Sequence, residues 1–401
     1  MRWGNLAKFL VVALAIIVGF GVFISPLAMS IKQGLDLQGG THVVMEAVDT
    51  PDAPVNEDAM QRLVRVIERR VNEMGLTEPI IQRQGERRII VELPGVKDPE
   101  AAIALIGKTA MLEFKDESGT TQLTGKDLKD AKAQIDNNNR NLVALEFTDE
   151  GGKKFADLTA KNVGKQIGIL LDKQMLTNPV VNEPIPNGKA IITGQRTLEE
   201  AQQIALLLRS GALPVKVDII ETRTVGPTLG QDSKEKSQVA FAIAIVAIII
   251  FMLLFYRMSG LVANIALTLY VLLLLFCLKM LNATMTLPGI AGIILSMGMA
   301  VDANVLIFER FKEEYRAGKT LRAAMDAGFD RAFRTIIDAN TTTFIAAAVL
   351  YAMGTGPIKG FAINLGLGII LGILTAVFVT KFLLKSLMNS NAFKSGKVFG
   401  A

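Results

Sequence analysis

The stretch that decides the fold is Gly298-Met299-Ala300-Val301-Asp302-Ala303-Asn304, set inside an apolar run over residues 287–308 in which Asp302 is the single acid. Spanning a bilayer core about 30 Å thick takes roughly 20 apolar residues in a helix. An ionised carboxylate at the middle of such a helix costs about 2.5–3.5 kcal/mol on insertion scales. Gly289, Gly292, Ser296 and Gly298 are small enough nearby for close helix packing. Asp302 then reads in two ways. It is a carboxylate that gains and loses a proton in a transport cycle, or it is a structural polar contact, kept protonated if necessary.

Working outward, five more segments approach or meet the spanning length: residues 9–29, 239–255, 261–278, 335–353 and 361–380. All are uncharged except 335–353, which has Asp338 close to its start. Six spanning helices are expected. The first could be a cleaved signal peptide, since Arg2 and Lys8 precede it. Its uncharged run exceeds the roughly 7–15 residues of such a core, which favours an uncleaved anchor. None of the six uncharged cores contains Lys or Arg. An ionised Asp302 would therefore need water or a countercharge from another subunit, which predicts hetero-oligomerisation.

The whole composition agrees. Half of the 401 residues are hydrophobic, 20% are charged and the mean hydropathy is +0.38. That excludes a purely soluble globular protein and a disordered one. The net charge of +5 (43 basic, 38 acidic) and 6% aromatics read as membrane topology, with no nucleic-acid footprint. One cysteine, Cys277, excludes an internal disulfide and a zinc cluster, and the lone His42 leaves no basis for a histidine triad. Positive charges in short loops place the N-terminus inside, through Arg2 and Lys8. They also place inside Arg257, the 309–334 loop, and the tail with Lys381, Lys385, Lys394 and Lys397. The segment 30–238 then lies outside.

That outer segment alternates strand and helix signals. Residues 42–47 form a strand, and Met60, Leu63, Val64, Ile67, Val71 and Met74 share one helical face stopped by Gly75. A hairpin is expected around Gln84-Gly85, then a helix over 98–108 and a closing strand over 110–114. This βαββαβ order is that of a ferredoxin-like unit. Thr197-Leu198-Glu199-Glu200 is a capping-box pattern opening another helix, which with a strand over 215–221 is expected to complete the unit. Between lies an inserted lobe containing Asn137-Asn138-Asn139, and residues 223–238 read as a polar connector. The expected organisation is thus a first span (1–29), a ferredoxin-like base (30–114), an inserted head lobe (115–196) and base completion with connector (197–238). The remaining helices with the cytoplasmic loop 309–334 follow (239–386), then a basic tail (387–401). The fold class is a membrane protein: an α-helical bundle of six transmembrane helices with an α+β extracytoplasmic domain.

Other chemistry is thin. Asp338, Asn340 and Thr341–Thr343 cluster where the fifth span leaves the inner side, either as a secondary polar membrane site or as a polar helix entrance beside Arg334. An intramembrane aspartyl protease would need Gly-x-Gly-Asp, and Met299-Ala300-Val301 precedes Asp302 instead. Gly318-Lys319-Thr320 resembles the end of a phosphate loop, but Glu313 stands where glycine is required. Direct nucleotide hydrolysis is not expected, nor any cofactor. Leu321, Met325, Phe329 and Phe333 fit a helix on the inner membrane surface or an ordinary packing helix. Asp36, within Gly34–Gly40, reads as a turn or cap residue and His42 as a strand residue.

Several segments in order carry a resemblance that covers nearly the whole chain. They are GLDLQGG (34–40), Glu68–Val71 with Gly75, LRSGALPV (208–215), ETRTVGPTLG (221–230), GMAVDANVLIFE (298–309), DANTTT (338–343) and GTGPIKGF (354–361). With these the chain resembles the SecD/SecF family of the bacterial Sec protein-export machinery, within the resistance-nodulation-division superfamily. The resemblance implies a ferredoxin-like base carrying a mobile head outside the inner (cell) membrane. It implies use of the proton-motive force, with SecF, in late preprotein export. It places the family's membrane aspartate on Asp302, with relay partners on SecF. The partners it implies are SecF, the SecYEG channel, the SecA ATPase, YajC and unfolded preprotein; no second six-helix half is present. Two other functions stay open: half of a small-molecule or lipid exporter of that superfamily, and a passive membrane-anchored scaffold that binds preproteins.

Overall fold

The computed structural model describes residues 3–51, 53–76, 79–136, 139–390 and 396–400. Arg2, Lys394, Asn137 and Asn138, named above, lie outside the described residues. The chain forms two units, one made of Met1–Gln38 with Thr228–Ala401 and one of Gly39–Pro227.

The first unit opens with α1 (Trp3–Ser30), a helix apolar along almost its whole length. A two-residue strand β1 (Lys32–Gln33) and a short helix α2 (Leu35–Gln38) follow. Asp36 lies in the first turn of α2.

The α+β unit begins with β2 (Gly40–Val48), α3 (Glu57–Glu73), β3 (Ile80–Gln84), β4 (Arg88–Pro94) and α4 (Pro99–Gly107). Asn56 caps α3 by accepting the Ala59 amide at 2.8 Å, and Gly75 ends it at φ 70°. Met60, Leu63, Ile67 and Val71 are fully buried against the sheet, as the 3.6-residue period requires. The chain continues through β5 (Leu112–Lys115), β6 (Thr121–Thr124), β7 (Leu128–Ile135), β8 (Asn141–Phe147) and α5 (Asp149–Lys161). Then come β9 (Gly168–Leu171), β10 (Gln174–Thr177), β11 (Lys189–Gln195), α6 (Leu198–Ser210) and β12 (Lys216–Val225).

The base is an antiparallel sheet of order β12-β2-β4-β3. Its closing strand is β12, and this corrects the expectation for residues 110–114. Strand β5 instead joins the inserted lobe, in a sheet of order β10-β9-β5-β6, with Leu112 opposite Leu171. A second sheet, β11-β8-β7, faces the same core. Phe114, Phe147 and Phe155 pack there with ring centroids 4.6–5.9 Å apart. Helix α6 also departs from expectation, because Ala201, Ile204, Ala205, Leu207 and Leu208 bury in this lobe's core. Half of the expected capping box forms at Thr197, and the returning bond is one residue out. The Thr197 hydroxyl accepts the Glu200 amide, while the Glu200 carboxylate takes the Arg196 amide. The polar connector is short, because β12 runs to Val225 and the next helix starts at Pro227.

That helix, α7 (Pro227–Met280), has non-helical backbone at Arg257 (φ 47°, ψ −117°). Unbroken, its 54 residues would reach about 80 Å, far beyond a bilayer core. The two arms fold back on one another: the Asn264 side chain donates to the Ile249 carbonyl at 3.3 Å. Next come β13 (Thr284–Met285), α8 (Leu287–Arg316), α9 (Leu321–Met353), α10 (Pro357–Leu374), a π-helical turn (Thr375–Thr380) and α11 (Lys381–Asn389). Five described helices are long and apolar enough to cross a membrane, the folded α7 counting as one.

The 309–334 segment is a helical hairpin, not an open loop. Gly318 (φ 92°) turns the chain and Thr320 caps α9, so Gly318-Lys319-Thr320 is a helix-to-helix turn. Met325 and Phe329 are buried and Gly328 lies against Phe311, so this face packs on α8 and does not lie on a surface; Phe333 remains exposed.

Candidate functional site

The middle of the membrane unit is built on α8 and α10. The sequence places small residues where the two helices touch, and the spacing there leaves no room for more. A Cβ on Gly292 would meet Phe361, one on Gly372 would meet Ala300, and one on Gly368 would collide with the Ser296 hydroxyl. Such contacts are the membrane alternative to hydrophobic packing, since lipid tails are as apolar as leucine. Gly289 and Gly292 thus do what their size suggests. Gly298 does not: nothing lies within 4 Å of where its Cβ would be.

Gly298 marks the other side of α8. Ala291, Leu295, Gly298, Asp302 and Glu309 are exposed, at intervals of one or two helical turns, while Ser296, Met297, Ala300, Val301, Ala303 and Asn304 are buried. Asp302 therefore sits on an uncovered stripe of this chain. Among the described residues it has neither a hydrogen-bond nor an ion-pair partner. The cations of α8 lie toward its C-terminal end, where Lys312, for instance, bonds Glu309 at 2.8 Å and lies over the Tyr256 ring.

The second candidate group is not joined to Asp302. Asp338 is exposed on α9, and its neighbours turn inward on their own helix. The Asn340 amide donates to the Ile336 carbonyl at 2.8 Å and the Thr341 hydroxyl to Ile337 at 2.7 Å. Those bonds satisfy the polar atoms locally. His42 is a strand residue in β2 with Nδ1 3.3 Å from Glu92, and no group of residues able to hold a metal occurs among the described residues.

Sequence reasoning missed a series of buried polar groups on and against the covered face of α8, opposite the stripe that carries Asp302. The hydroxyls of Tyr270 and Ser296 lie 2.8 Å apart, fully buried. Asn364 of α10 donates to the Gly289 carbonyl at 2.8 Å. Asn304, two residues beyond Asp302, donates to the Ala300 carbonyl at 3.0 Å, and its own carbonyl oxygen is buried without a partner. A polar atom left so is a site for water or movement. The π-helical turn, an arrangement often found at functional sites, starts at Thr375 just past Gly372, which touches Ala300. An asparagine within the quoted stretch was the available signal.

Comparisons with known proteins follow this geometry. Residues 109–215 match the profile of the SecDF P1 head subdomain, 60–119 that of the N-terminal SecDF P1 domain, and 209–390 that of the C-terminal SecD/SecF export membrane protein. The protein translocase subunit SecD of Acidaminococcus fermentans is 63% identical over all of this chain and 96% of its own length. That of Dictyoglomus turgidum is 50% identical over 96% of this chain and 97% of its own length. A crystal structure of SecDF from Thermus thermophilus, described as a translocon-associated membrane protein, aligns at 38% identity with a TM-score of 0.66. It covers 98% of this chain, which spans 60% of that longer polypeptide. With apolar membrane-type helices, an extracytoplasmic head domain and relatives this similar along their whole length, the chain belongs to the SecD family of protein translocase subunits.

Proposed function

We propose that this chain is an accessory subunit of Sec protein export that works with SecF, and that Asp302 is the carboxylate through which the proton-motive force acts on it. The carrying observation is the placement of Asp302 on an uncovered face of α8, with no partner among the described residues. A charge in that position is tolerable only if a neighbouring subunit or water meets it, or if it is protonated. A proton arriving from outside neutralises it and removes the electrostatic reason for one helix packing. One charge crossing 100 mV is worth about 2.3 kcal/mol, enough to bias a two-state element, so long-range pulling takes many cycles. No nucleotide, metal or other cofactor enters this scheme, and the chain acts as a transport component without catalysis.

The finer architecture belongs to the same proposal. The arms of α7 count as two crossings, giving six, with both termini cytoplasmic and residues 30–238 outside. The order β12-β2-β4-β3 supports a ferredoxin-like base. The head handles emerging preprotein, with the SecYEG channel, SecA and YajC as neighbours. The exporter reading draws no support from the cleft of about 560 Å³ on the α+β unit, where Glu73, Lys132, Gln134, Glu199 and Arg209 stand beside Ala205 and Leu206. Asp338 with Asn340 and Thr341 is retained as a secondary polar membrane site. The test is export into proton-energised vesicles carrying Asp302→Asn, with co-purification of SecF as the assembly control. Loss of the proton-dependent rate in an intact complex is expected; an unchanged rate ends the relay proposal and leaves the passive scaffold.

A further inference from the structure

Arg70 of α3 is fully buried, and both terminal nitrogens of its guanidinium are spent on backbone, while Nε is buried without a partner. One terminal nitrogen donates to the carbonyls of Leu105 at 3.0 Å, Ile106 at 2.9 Å and Lys108; the other donates to Gly211 at 3.0 Å and Thr109 at 3.4 Å. These carbonyls belong to two places. Residues 105–109 end α4 and carry the chain out of the base into the head, while Gly211 ends α6 and carries it back. A single cation thus serves the C-terminal ends of two helices, where unpaired carbonyls and the helix dipole both favour positive charge. The two crossovers are also bonded to each other, the Leu213 amide donating to the Thr109 carbonyl at 2.9 Å.

The head supplies the opposite charge. Asp172, in the turn joining β9 to β10, accepts the Ala110 amide at 3.0 Å and the Met111 amide at 2.8 Å. Its own amide donates to the Met111 carbonyl at 3.0 Å. Ala110 is held at φ 57°, a conformation that residues with a Cβ rarely adopt. Asp172 and Arg70 feel each other electrostatically across the crossover, and Arg70, although burial pushes its pKa down to about 10, remains a cation at neutral pH.

We infer that Arg70 and Asp172 form a clasp on the outgoing crossover that fixes the orientation of head to base, making both of them positioning residues for the lobe. The cation grips the crossover carbonyls from the base side, the carboxylate grips its amides from the head side, and Gly211 ties in the return strand. Turning the head about these crossovers requires releasing several charge-assisted bonds together, so the described orientation is a discrete locked state. This inference does not rest on the proton relay, and its readout is independent of export.

The test uses the full chain in nanodiscs with Cys277→Ser, spin labels at Arg65→Cys on α3 and Lys153→Cys on α5, and electron–electron distance measurement. The parent is expected to give one narrow distance. Arg70→Lys keeps the charge but loses the fork, and is expected to broaden the distribution about twofold; Asp172→Asn is expected to do the same. Hydrogen exchange should quicken at Ala110, Met111 and Leu213 while the β2–β4 and β7–β8 ladders stay protected, a pattern that general destabilisation would not give. The parent distance and width retained in Asp172→Asn overturn the clasp, and this variant, at a half-buried turn residue, decides alone if Arg70→Lys does not fold.

Discussion

Arg70 and Asp302 are both charges taken out of bulk water, and the chain treats them oppositely. Around Arg70, five carbonyls from two crossovers converge on one guanidinium. Around Asp302 no bonded partner occurs among the described residues, and the helix face it shares with Leu295 and Gly298 is uncovered. A charge held through most of its donors inside its own chain belongs to that chain's architecture. One left unsatisfied points to a partner, to a proton, or to both.

The contrast can be broken in several ways. Asp302→Asn is expected to have the largest effect, lowering the proton-dependent component of export by about tenfold or more while the complex still forms. Arg70→Met leaves buried carbonyls without a donor and is expected to destabilise the α+β unit by about 3–5 kcal/mol, read as a lower urea midpoint. Gly368→Ala forces a methyl onto the Ser296 hydroxyl, and overpacking of that kind costs about 1–3 kcal/mol, visible as a lower melting temperature of the membrane unit in detergent. Ser296→Ala removes the bond to Tyr270 and the one the hydroxyl donates to the Ile293 carbonyl of its own helix, and an effect of about 0.6 kcal/mol in the same assay is expected. Asp338→Asn sharpens the comparison from the other end. If local satisfaction of Asn340 and Thr341 describes a helix entrance, export in that variant stays within about twofold of the parent.

The membrane segments were legible because hydropathy is a one-dimensional signal. The hairpin of α7 was legible too, through charged Arg257 between two apolar runs. What could not be read was long-range pairing. Residues 112–115 make an alternating apolar strand that suits either sheet, and only the partner Leu171 decides in favour of the head. Helix α6 likewise offers an apolar face to whichever core closes over it. Asp302 stood out because an acid among apolar residues is rare. Arg70 did not, because it stands beside exposed Arg69 in a charged helix. Its spacing from Ile67, one turn earlier on the buried face, and its place in the Glu68–Val71 segment were the clues, and a lone cation on an apolar face has many bland explanations.

The pairing of Lys32 with Thr284 and Gln33 with Met285 is short, but it stands at a junction. The Gly34 amide adds a bond to the Met285 carbonyl at 2.7 Å, and Thr286, the next residue, is the cap from which α8 grows. Any twist of α8 about its axis is therefore felt at Lys32 and Gln33, just past the end of α1, through the pairing with Thr284 and Met285. Within the membrane unit the residues that follow α1 and the cap that starts α8 thus form one hydrogen-bonded piece, and neither helix end can turn alone without breaking bonds at Gln33 and Gly34.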